Sequence, residues 1–105
     1  SSAEIQANVA RQSAALRAGL EAINADFNVF DEVRGMGLMI GAQLKPEYVA
    51  DIGALQNLAA EHQVLILQAG ADVLRFLPAL NITDEELGEG LARVRAAIAA
   101  YLAAR

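Results

Sequence analysis

Arginine 75 stands inside an otherwise apolar strand pattern, Val73, Leu74, Arg75, Phe76, Leu77, and the pattern ends at Pro78. Alternation puts Val73, Arg75 and Leu77 on one face and Leu74 and Phe76 on the other. A guanidinium is costly to desolvate unless a partner meets it. Two readings follow. Arg75 is either an edge residue whose stem lies on the sheet while its head reaches water or a surface carboxylate, or it is aimed into a cleft to clasp a carboxylate with two parallel hydrogen bonds. The residue pattern alone leaves both open.

The other chemistry-bearing residues have simpler explanations. His62 is the one histidine, and its neighbours Glu61 and Gln63 complete no metal set, so it reads as a solvated residue near a helix end. Lys45, the one lysine, precedes Pro46 and reads as a surface charge. Asp84, Glu85 and Glu86 open a helix, where carboxylates favour the backbone dipole. Serines stand at 1, 2 and 13 with no base beside them in sequence, which argues against a serine nucleophile. The segment "GMGLMIG" has Gly35 and Gly37 where a dinucleotide loop needs them, but Ile40 holds the sixth place and a strand follows, not a helix. Its glycines read as a bulge or a close backbone approach. There is no cysteine, which excludes disulfides and thiolate chemistry. No metal site is expected.

These residues must be positioned by a small set of elements. The chain has 105 residues, which suits one domain over 1–105. The apolar fraction of 55% is inflated by 23 alanines, which add little core volume. The net charge of −5, with 8 basic residues and no basic run, speaks against nucleic-acid binding. No apolar run approaches the ~20 residues needed to span a bilayer. The first residues lack methionine and enter a helical pattern at once, as expected of a piece of a longer chain or of an end made by processing.

Ile5, Val9, Gln12, Leu16, Leu20 and Ile23 predict a helix over 3–24, with Gly19 a mild defect and Asn24 its end. Phe27, Val29 and Asp31 alternate with their neighbours as a strand. Leu38, Met39, Ile40 and Leu44 form a second, and the short link makes them an antiparallel pair or one kinked strand. A helix is predicted over 48–62, a strand over 64–67, a turn over 68–72 and a strand over 73–77. Thr83 and Glu86 fit a capping box. Leu87, Leu91, Val94, Ile98 and Leu102 stripe the last helix. Paired strands between helices predict an α+β fold, with a three- to four-stranded antiparallel or mixed sheet packed with helices.

The two motifs "VRGMGLMIGAQL" and "AGADVLRFLPALNITDEEL", in this order and at this spacing, resemble the C-terminal small domain of the class III pyridoxal-phosphate aminotransferases. Arg34, Gly35, Gly37, Leu38, Gly41, Ala69, Gly70, Val73, Arg75, Phe76, Pro78, Leu80 and Ile82 fall on the family pattern. The chain is most similar to the acetylornithine and succinylornithine aminotransferase group. Ala79 departs from the second proline of many members and leans toward the succinylornithine type.

The resemblance implies that Arg75 binds the α-carboxylate of an amino-acid substrate. It also implies a pyridoxal 5'-phosphate cofactor held by a large domain of the same chain and partly by a homodimer partner. Lys45 does not match the Schiff-base position, so no catalytic or cofactor-binding residue is expected in this chain, which alone would be inactive. The whole enzyme would be cytoplasmic and would pass an amino group to 2-oxoglutarate in arginine and ornithine metabolism. Alternatives are an ornithine or 4-aminobutyrate aminotransferase, or a free-standing domain that binds a carboxylate or a protein.

Overall fold

The first helix, α1, spans Ser2–Phe27. The predicted stripe forms its inner face, with Val9, Gln12, Leu16, Leu20 and Ile23 buried, but Ile5 is 46% exposed because the helix begins beyond the reach of the core. Ser1 and Glu4 make a capping box at its start. The predicted end at Asn24 is corrected by one turn. Asn28 closes the helix in the left-handed region at φ 55°. Asn24 instead turns its side-chain amide to the backbone of Phe30, donating at 2.9 Å and accepting at 2.8 Å. Phe27, expected in a strand, is therefore the last residue of α1.

The computed structural model describes residues 1–36, 39–59 and 64–105. Gly37, Leu38 and His62 lie outside the described residues, as do residues 60–62 of the predicted second helix. Strands β1 (Phe30–Met36) and β2 (Met39–Leu44) form an antiparallel pair, not one kinked strand. The register slips between Phe30 and Glu32, away from the glycines; Gly35 pairs regularly with Ile40.

Pro46 starts a 3-10 helix, Pro46–Asp51, and α2 follows over Ile52–Ala59, so the α-helix begins later than predicted. β3 (Val64–Ala69) outlasts its predicted end, and the turn narrows around Gly70, whose φ of 73° suits glycine. β4 spans Val73–Pro78. The sheet is four-stranded in the order β1-β2-β4-β3, antiparallel throughout. The fold is α+β, as the element order predicts.

Helix α3 (Asp84–Ala103) starts at the predicted capping box, with Thr83 Oγ1 accepting from Glu86 N at 3.1 Å. One hydrophobic cluster joins the helices to a single sheet face, through Leu16, Leu20, Ile40, Ala42, Ile66, Leu74, Phe76, Leu87 and Val94 among others. Gly19 is no defect. A Cβ there would run into the Leu91 side chain, so glycine permits the close approach of α1 and α3. Among the described residues no helix is long and apolar enough to cross a membrane.

The end of α3 is held by polar aromatic contacts. Tyr101 donates its hydroxyl to Asp51 and meets Tyr48 edge-on, and Arg105 stacks over Tyr48 at 4.8 Å. Burial, followed by the bond to Asp51, pushes the Tyr101 phenol up to about 12 from 10.0. A raised folded-state value means that the contribution of Tyr101 to stability is complete below pH 10 and is lost as pH rises toward 12. Tyr101→Phe is therefore expected to flatten the alkaline limb of the stability curve. Denaturant melts between these pH values check it, and an unchanged limb in the variant would rule out this source.

Candidate functional site

Strand β4 is flanked by β2 on one side and β3 on the other. Its burial alternates as the sequence predicts: Leu74, Phe76 and Pro78 are buried, while Val73, Arg75 and Leu77 are half-buried. The edge placement of Arg75 is thereby corrected, since β4 lies between β2 and β3.

Cross-strand partners in an antiparallel pair share a face. Arg34 pairs with Gly41, Gly41 with Arg75, and Arg75 with Leu67. The row Arg34, Gly41, Arg75, Leu67 therefore crosses all four strands on one side. The next row, Gly35, Ile40, Phe76 and Ile66, points to the core under the helices. The Arg75 row thus lies on the face that the helices leave uncovered, and Leu67 is 45% exposed there.

The two arginines differ in their surroundings. Arg34 is half exposed, and the Glu32 carboxylate on the same strand stands 3.5 Å from it. The Arg75 side chain makes no hydrogen bond or ion pair among the described residues, and its Nε is sealed from solvent without a partner. A buried donor left unpaired costs about 1–3 kcal/mol. Chemically, the arrangement offers a charged, partly desolvated fork that would gain strongly from an incoming carboxylate.

The remaining sequence candidates lie apart from this row. Lys45 follows β2 in the loop that leads into the 3-10 helix, and its backbone N donates to Val29 O. At ~3.3 Å per strand residue it is ~13 Å along the chain from Gly41. Asp84 receives hydrogen bonds from Gln12 at 2.7 Å and Arg11 at 3.0 Å, and these partners hold its carboxyl below its usual range. Glu86 completes the helix cap. Ser1 caps α1, and Ser13 is buried within it. Among the described residues no group of three His, Cys, Asp or Glu side chains could hold a metal ion.

Sequence reasoning placed Gly41 in a motif but gave it no role beside Arg75. The pairing of Arg34 with Gly41 belongs to the hairpin of β1 and β2, one of the two arrangements the sequence left open. The pairing of Gly41 with Arg75 was not, because it depends on which strand β2 joins across the intervening helices.

The profile of the class-III aminotransferases matches residues 1–98. The chain belongs to that family. Among class-III relatives, the acetylornithine aminotransferase of Xanthomonas campestris pv. campestris is 65% identical over 102 residues, 97% of this chain and 25% of that protein. The succinylornithine transaminase of Salmonella enteritidis is 42% identical over 90 residues, 86% of this chain and 22% of that protein. The crystal structure of N-acetylornithine aminotransferase from Stenotrophomonas maltophilia superposes with a TM-score of 0.84 at 61% identity, covering 97% of this chain and 28% of that one. This class-III chain thus spans about a quarter of the length of the curated relatives it matches.

Proposed function

We propose that residues 1–105 form the C-terminal domain of a pyridoxal-phosphate-dependent aminotransferase of arginine and ornithine metabolism. The whole enzyme, a cytoplasmic homodimer, moves the terminal amino group of N-acetylornithine or N-succinylornithine to 2-oxoglutarate. In this reading Arg75 binds the α-carboxylate of the substrate. The observation that carries it is the guanidinium, without a partner among the described residues, on the helix-free face of an interior strand. The names of the relatives support the substrate class.

The residues of this chain do not fit the cofactor's own seat. Its one lysine lies in the loop after β2, away from the Arg75 row, and no described carboxylate meets that row except Glu32 beside Arg34. When bound, pyridoxal phosphate would supply the electron sink for amino transfer; its lysine, aspartate and phosphate donors belong to the large domain. The task of this chain is orientation. A carboxylate clamped by Arg75 fixes one end of the substrate, so that the distal amine is presented in one pose and not many.

The test uses the full-length protein with pyridoxal phosphate. It compares N-acetylornithine with its decarboxylated counterpart, the same acylated diamine without the α-carboxylate. Transamination of the first is expected, with kcat/KM for the second lower by on the order of 100-fold or more. Equal use of the two would sink the carboxylate reading, and no turnover of acylated ornithines would sink the substrate class.

A further inference from the structure

Gly41 is the residue of the helix-free row that carries no side chain, and it stands between two arginines. Strands lie ~4.8 Å apart, so the Arg34 and Arg75 backbones are ~10 Å apart across it. Gly41 is buried, although none of the described helices packs on that face. Its direct cross-strand partners are Arg34 and Arg75. Arg34 keeps half of its side chain in solvent, beside Glu32. Arg75 is half-buried, with its Nε closed to water. On the other side of Arg75, Leu67 raises a large side chain. With no side chain of its own, position 41 leaves the Arg75 stem room that Leu67 on the other side does not.

We infer that Gly41 is a positioning residue for Arg75: its missing side chain lets the arginine lie low across β2 and sets the height of the guanidinium on the face. Cross-strand Cβ atoms stand only ~4.5–5.5 Å apart, so a branched side chain at 41 competes for the space the Arg75 stem needs. The fork is then displaced from the carboxylate it would clasp. This inference rests on the reading of Arg75 as the carboxylate anchor.

The experiment compares Gly41→Val, Arg75→Ala and the double variant in the full-length holoenzyme. The readout is the ratio of kcat/KM for N-acetylornithine to that for its decarboxylated counterpart, with a thermal melt to verify folding. Gly41→Val is expected to lower the ratio by about 100-fold, the scale of an ångström-sized misplacement, mainly through KM. The double variant should fall no further than Arg75→Ala alone. A wild-type ratio in Gly41→Val beside a collapsed ratio in Arg75→Ala overturns the inference and spares the anchor. A wild-type ratio in Arg75→Ala overturns the anchor, and the inference with it. If the valine variant does not fold, Gly41→Ala decides: a smaller fall in the same ratio supports the role of Gly41, and an unchanged ratio overturns it.

Discussion

Arg75→Ala in the full-length protein is expected to lower kcat/KM for N-acetylornithine by about 2–5 kcal/mol, the scale of leaving a desolvated charge partner unpaired. At 1.4 kcal/mol per decade that is roughly 30-fold to several thousand-fold. Stability should barely change. The guanidinium has no partner to lose among the described residues, and its sealed Nε is a cost that the variant removes. Steady-state kinetics and a thermal melt together check the prediction. Wild-type kinetics would mean that Arg75 does not hold the substrate. A large fall in melting temperature would mean that it serves a structural ion pair instead.

The neighbouring residue should behave in the opposite way. Phe76 is 1% exposed and is among the largest fully buried side chains. It pairs with Ile40 and Ile66 on the core side of the sheet. Phe76→Ala in this chain is expected to cost about 3–5 kcal/mol, through lost transfer energy and the cavity left behind. Domains of this size have only about 5–15 kcal/mol in total, so the variant should sit near the edge of folding. Urea denaturation gives the value directly. A loss under about 1 kcal/mol would show that the core repacks freely around the gap. One strand thus separates two kinds of defect, residue by residue.

What the sequence revealed follows from how local each signal is. The α3 cap at Thr83 and Glu86 involves neighbours only, and it was readable in full. The alternation of β4 was readable for the same reason, as a period of two. The end of α1 was misread because two asparagines competed, and a contact from Asn24 to Phe30 decided between them. Ile5 fits the stripe by spacing, yet spacing does not say where the core stops. Gly19 looked like a weakness because its reason, Leu91, is distant in sequence. The interior place of β4 was hidden by the crossover through the 3-10 helix and α2. With it went the company of Arg75, which is what changes the meaning of that residue.

The strand order has a consequence for assembly. β1 with β2, and β3 with β4, are hairpins whose partners lie close in sequence, and such pairs close at low entropic cost. The seam between β2 and β4 joins residues far apart in the chain and must close a long loop. Arg34 and Gly41 ride on one hairpin, Leu67 and Arg75 on the other. Neither hairpin carries the row by itself. Gly41 meets Arg75 only when the two halves dock, so the completion of this sheet and the creation of its charged face are a single event.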